Sequence, residues 1–135
     1  MKQFTLLLVI CFIMVSACSE QHEKLEIITL AEAYPGDLNS ITKIIIVDGG
    51  SGERRSFTDV DDIQLWLDQI SDLEFHPDPN QESRNGFRYS VSLYEKDERM
   101  FGFTLNNING NYYIADSRLL PSISEFYLSK DDSVD

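Results

Sequence analysis

Thr42 to Phe57, TKIIIVDGGSGERRSF, is the stretch whose reading decides the fold. Ile44, Ile45, Ile46 and Val47 are consecutive apolar β-branched residues, the pattern of a strand buried on both faces near the middle of a sheet. The run stops at Asp48-Gly49-Gly50-Ser51-Gly52, where glycine permits the positive backbone angles of a tight hairpin. Glu53 to Phe57 is then the returning strand. Downstream, Thr58 or Asp59 can cap a helix, with Asp59, Asp61 and Asp62 crowded into its first turn, where the helix dipole favours negative charge. Val60, Ile63, Trp66, Leu67 and Ile70 recur at helical spacing and form one apolar stripe, and the helix ends by Asp72.

Leu73-Glu74-Phe75 reads as a short strand, followed by a polar stretch from His76 to Asn85. Phe87, Tyr89, Val91 and Leu93 alternate with polar residues, and Phe101, Phe103 and Leu105 repeat the alternation, so each set predicts a half-buried strand. Tyr112 to Ala115 predicts another, reached through Asn109-Gly110, a strong tight-turn signal. Leu119, Leu120, Ile123, Phe126 and Tyr127 suggest a closing helix, with Pro121 in its first turn, where it removes no helical hydrogen bond. The predicted order is β-β-α-β-β-β-β-α: an α+β fold with a mainly antiparallel sheet of five to six strands and two helices packed on one face.

Working back toward the N-terminus, Tyr34-Pro35-Gly36-Asp37 is a turn signal, and Ile27 to Leu30 reads as a strand or as a sticky part of a tether. The sequence therefore predicts a single domain over 38–130, a tether over 18–37 that is nearly all polar from Ser19 to Glu26, and a loose acidic tail over 131–135.

Residues 1–17 have the parts of a secretory signal peptide: Lys2 at a positive start, an apolar run from Phe4 to Val15, and small residues at Ser16 and Ala17. The run falls short of the roughly 20 residues a spanning helix needs. Val15-Ser16-Ala17-Cys18 resembles the lipobox of bacterial lipoproteins, which implies a diacylglyceryl group on the Cys18 thiol and cleavage just before that residue. The competing reading is an ordinary signal cut in which Cys11 and Cys18 are merely small apolar residues. On the lipobox reading Cys11 is discarded and Cys18 becomes a thioether. The folded body then has no thiol for a disulfide, a cysteine nucleophile or a zinc–thiolate site.

The full chain carries a formal charge of −12, and loss of Lys2 makes the mature chain one unit more negative. That sign opposes nucleic acid as a partner and opposes electrostatic adsorption on anionic lipid. Membrane attachment therefore rests on lipid at Cys18. ITKIIIVDGGSGERRSFTD, NQESRNGFRYSVSLYE and NINGNYY resemble small uncharacterised domains of secreted and lipid-anchored Gram-positive proteins. The resemblance covers most of 41–127; it implies a location and a fold class, and no activity.

Motifs for chemistry are sparse. The 48–52 glycines with Arg54 and Arg55 suggest a phosphate loop, but the lysine and hydroxyl of that pattern are missing and the loop opens a strand, so a hairpin turn is the better reading. Asp59-Val60-Asp61-Asp62 lacks the glycine and glutamate of a calcium loop, which leaves acids at a helix N-terminus. His22 and His76 are the chain's histidines, too few for a dedicated transition-metal site, and no cofactor is implied. No G-x-S-x-G elbow accompanies His76, so catalytic residues are not assigned.

The segment HPDPNQESRNG, His76 to Gly86, is the candidate binding loop, with His76, Asp78, Glu82 and Arg84 as its contact residues. Arg84 can pair with Asp78 or Glu82 and hold the loop's shape, or clamp a partner's carboxylate. Of Tyr112 and Tyr113, alternation sends one to the core and the other to the opposite face. The function these readings predict is an extracytoplasmic membrane-anchored lipoprotein, its domain a non-catalytic interaction module for an envelope protein or ligand. The alternative is a small extracytoplasmic enzyme or enzyme inhibitor acting through the same loop and the glycine turn.

Overall fold

In the computed structural model, residues 24–129 are described. The expected signal peptide over 1–17, Cys18 and the expected tail over 131–135 lie outside them. At 43–48, Ile44 and Ile46 are fully buried while Lys43, Ile45 and Val47 are half-buried. The β-branched run is therefore a strand with one face in the core and the other partly open, not one buried on both faces.

The elements in chain order are β1 (Ile28–Thr29), α1 (Leu30–Ala33), a 3-10 turn (Leu38–Ser40), β2 (Lys43–Asp48), β3 (Arg54–Phe57), α2 (Val60–Ile70), β4 (Glu74–Pro77), β5 (Tyr89–Glu95), β6 (Glu98–Thr104), β7 (Asn107–Ile108), β8 (Asn111–Ala115) and α3 (Leu119–Leu128). The fold is α+β, with one antiparallel sheet of 8 strands in the order β1-β4-β8-β7-β6-β5-β2-β3. The five to six strands and two helices expected are thus extended by β1, β7 and α1. Both extra strands are two residues long, too short to show any period.

Cross-strand register lines up the core. Ile44 faces Phe57 and Leu93, Ile46 faces Val91, and Val91 faces Phe103, all of them buried. On that face α2 contributes Ile63, Trp66, Leu67 and Ile70 and α3 contributes Leu119, Ile123, Phe126 and Tyr127, which join the strand residues in one apolar cluster. Val60 and Leu120, expected in the two stripes, are exposed instead. Asp59 is the cap of α2: its carboxylate accepts the backbone N–H groups of Asp61 and Asp62 at 3.1 and 3.2 Å. Asn109 and Gly110, with φ of 52° and 83°, make the turn between β7 and β8 with both central residues left-handed.

The start of the domain moves upstream of residue 38. Ile28 pairs with Phe75, and Leu30 and Tyr34 are buried, so the second half of the expected tether is part of the fold. Its polar connections explain why it stays: Ala31 N–H bonds to the Ser71 carbonyl at 3.1 Å, and the Gln64 amide donates to the Leu38 carbonyl at 3.1 Å. The Tyr34 hydroxyl donates to Glu95 Oε1 at 2.8 Å at the end of β5.

Burial first, then the bond to Glu95, pushes the Tyr34 phenol well above its usual value. A phenol whose folded pKa is raised stabilises the fold fully below the unfolded value near 10, and that contribution is lost as pH rises further. Tyr34→Phe should cost about 1 kcal/mol at pH 7. It should also flatten the loss of stability above about pH 10 relative to the parent chain. Urea unfolding across a pH series checks both. The parent-minus-variant difference isolates Tyr34 from Tyr127, whose phenol is raised as well.

Candidate functional site

The polar stretch after β4 runs from Asp78 to Arg88, and every residue from Pro79 to Arg88 is exposed. Exposure here does not mean looseness, because the segment is bonded to β8 along much of its length. Asp78 N–H donates to the Tyr112 carbonyl at 3.0 Å. The Gln81 side chain acts as a substitute peptide group, donating to the Tyr112 carbonyl at 2.8 Å and accepting the Tyr112 N–H at 2.9 Å. The Tyr112 hydroxyl in turn accepts the Arg84 N–H at 2.9 Å.

Arg84 closes the loop on itself. Its Nη2 donates to Asp78 Oδ2 at 2.9 Å and to the Asn80 carbonyl at 2.6 Å, and its guanidinium lies 4.6 Å from the centre of the Tyr112 ring. Of the two pairings open to Arg84, the structure forms the one with Asp78. The Asn80 N–H, then the Arg84 guanidinium, hold the Asp78 carboxyl below the usual carboxylate range. Glu82 is exposed, and the contact at that position is its backbone N–H donating to Asn80 Oδ1 at 3.0 Å. Tyr113 is buried, as alternation requires of one of the pair, while Tyr112 is half-buried beneath Arg84.

Beside the loop lies a groove of about 490 Å³ whose lining includes Asp78, Arg84, Leu105, Tyr113, Asp116 and Leu120. Asp116 is gripped by Arg118 through a fork, Nε to Oδ1 at 2.9 Å and Nη2 to Oδ2 at 2.8 Å. That grip, with the Arg118 N–H, lowers the Asp116 carboxyl to about 2. Both groove carboxylates are therefore ionised weak bases at neutral pH. They suit holding charge in place more than moving protons, since a general acid or base works best with a pKa near the working pH.

His76 is not in the lining. It lies on β4, exposed, with Nε2 at 2.9 Å from Glu74 Oε2, so the structure brings Asp78 and Arg84 together and leaves His76 and Glu82 outside the groove. Among the described residues no group of three or more His, Cys, Asp or Glu side chains is placed to hold a metal ion. Gln81, Asp116 and Arg118 were not singled out from the sequence. The Asp116–Arg118 spacing is a local signal, whereas nothing in a polar loop marks Gln81 as a peptide mimic.

The glycine turn is built around its own acid. Asp48 Oδ1 accepts the Gly50 N–H at 2.7 Å and the Ser51 N–H at 3.4 Å, and takes Arg88 Nη1 at 3.4 Å. Amides that a phosphate loop would offer to a ligand are bonded within the turn. This also ties the far end of the 78–88 segment to the hairpin.

No protein-family model matches the chain, and neither a curated protein nor a solved structure matches it. Among the described residues no helix is long and apolar enough to cross a membrane.

Proposed function

We propose that the mature chain is a lipoprotein held by a diacylglyceryl-modified Cys18 on the extracytoplasmic face of a bacterial cell membrane, and that its folded part is a non-catalytic binding module for an envelope protein. The lipobox-like Val15-Ser16-Ala17-Cys18 after an apolar run supports the anchor. Each buried methylene contributes about 0.8 kcal/mol, and more than one acyl chain on one residue makes attachment stable without basic residues. The observation that carries the binding reading is the preorganised 78–88 segment, clamped to β8 by Gln81, Tyr112 and the Arg84–Asp78 pair. A loop ordered before binding loses little conformational freedom on binding.

Two measurements in cells test this. Cys18→Ala should abolish incorporation of labelled fatty acid and move the protein out of the membrane fraction; an acylated, membrane-bound variant overturns the anchor. A photo-crosslinking residue at Glu82, exposed on the loop, should capture one envelope protein, and Arg84→Ala should reduce that product severalfold. Absence of any crosslinked partner, with turnover of an envelope substrate by the purified protein, overturns the binding reading in favour of catalysis.

A further inference from the structure

α2 and α3 leave a second surface, remote in kind from the loop. Asp62, Leu65, Trp66 and Gln69 on α2 and Ser122, Glu125, Phe126 and Ser129 at α3 line a furrow of about 260 Å³. Each set follows the i, i+3, i+4, i+7 spacing of one helical stripe, so two stripes face each other across it. Trp66 and Phe126 stack at its base with ring centres 4.5 Å apart and planes 7° apart. Trp66 Nε1 is satisfied within the wall, donating to Ser122 at 3.2 Å to the carbonyl and 3.1 Å to the hydroxyl. Leu65 is 65% exposed, and Leu128, on the outer surface of α3, is 61% exposed.

The rim has one sign. Asp62 and Glu125 border the furrow, and neither is in any ion pair among the described residues. The helices carry Glu32, Asp61, Asp62, Asp68 and Glu125 and contain no lysine or arginine. Lys43, Arg54, Arg55 and Arg99 all lie on strands β2, β3 and β6. The cations nearest α3 are Arg118 at its N-cap and Arg55, which reaches from β3 to the Tyr127 carbonyl at 2.9 Å; neither Arg55 nor Arg118 lines the furrow, whose charged residues are both carboxylates.

We infer that this furrow docks a cationic amphipathic helix of a partner protein, its apolar side chains over Leu65 and the Trp66–Phe126 stack and its lysines or arginines against Asp62 and Glu125. A stripe from i to i+7 is about 10 Å long, room for two turns of such a helix packed in the helix-in-groove manner. An acidic or neutral helix finds only repulsion or no partner for these carboxylates, and an extended cationic chain without apolar anchors leaves Leu65 uncovered. The occupant is therefore defined by charge and amphipathicity together, independently of the 78–88 loop.

The chain's sole tryptophan is Trp66, so in the folded protein its fluorescence comes from the base of this furrow. The test uses the full chain in phosphatidylcholine vesicles, titrated with tryptophan-free helical peptides of Leu/Lys, Leu/Glu and Lys-only composition. The Leu/Lys peptide should shift Trp66 emission saturably and bind at least about 10-fold more tightly than either of the others. Asp62→Lys with Glu125→Lys should weaken it about 10-fold or more, and Leu65→Ser about fivefold, each at exposed positions that leave the core intact. Reversal of two distant exposed charges, Glu26→Lys with Glu98→Lys, controls for net charge and should change binding less than about twofold. The proposal is overturned by unchanged Trp66 emission, by equal binding of the Leu/Lys and Lys-only peptides, or by equal losses in the groove and distant charge variants.

Discussion

Phe126→Ala should destabilise the domain by about 3–5 kcal/mol. Phe126 is one of the rings through which the helical layer meets the sheet: it stacks on Trp66 of α2 at 4.5 Å and on Phe57 of β3 at 4.4 Å. Truncation leaves a void with an aromatic ring on either side, and neither neighbour can close it without leaving its own stack. Native domains are stable by only about 5–15 kcal/mol, so a loss of this size brings the midpoint close to ordinary conditions. Urea unfolding followed by Trp66 fluorescence measures it. Phe87→Ala is the matched control, because Phe87 is 41% exposed and should cost under about 1 kcal/mol. A Phe126→Ala variant within about 1 kcal/mol of the parent would mean that the aromatic stack is not what joins the layers.

Gly49→Ala should be the most damaging single-methyl addition, about 2–4 kcal/mol. A Cβ at Gly49 would collide with the Phe87 carbonyl oxygen and fall 2.8 Å from its carbon, both backbone atoms. The approach is close because the Gly49 N–H donates to the Arg88 carbonyl at 2.8 Å, adding one bond beyond the Asp48–Tyr89 end of the β2–β5 ladder. Relief requires the 78–88 segment to lift away from the hairpin, so the same change should weaken the Glu82 crosslink. Gly50→Ala meets only the Asp48 and Arg88 side chains, at 3.2 and 3.4 Å, and should be mild. At Gly52 the obstacle is φ of +75° rather than space, and alanine there should cost about 1 kcal/mol. Denaturant midpoints for the three variants should rank Gly49→Ala lowest, then Gly52→Ala, with Gly50→Ala nearest the parent. A Gly49→Ala midpoint no lower than that of Gly50→Ala would show that the turn gives way freely.

The elements legible in the sequence are those whose signal is local. The β2–β3 hairpin, the Asp59-capped α2, the alternation in β5 and β6 and the Asn109-Gly110 turn each follow from side-chain periodicity or from a backbone angle that few residues adopt. The misreadings have a common cause. Ile27 to Leu30 is ambiguous by itself, because two residues of strand and four of helix are stable only once Phe75 pairs with Ile28 and Leu30 enters the core. Phe87 continues an alternating pattern yet precedes the strand, which begins at Tyr89.

For the loop, composition marked the segment and the ion-pair candidates, but the choice of Asp78 over Glu82 depends on where Tyr112 places the Arg84 backbone. Gln81 and the Asp116–Arg118 fork became visible only once β8 lay beside β4.

Residue order thus determined by itself the α+β class, the hairpin, the long helix, the charge that opposes nucleic acid, and the candidate anchor at Cys18. Only the tertiary structure decided that β4 crosses the sheet to sit between β1 and β8, that the polar loop is bonded to Tyr112 of β8, and that two helical stripes form an acid-rimmed furrow. The physical reason is range. Periodicity, capping and turn angles are set by neighbours a few residues away, whereas strand order, groove shape and the pairing of charges are set by residues far apart in the chain that meet only in the packed fold.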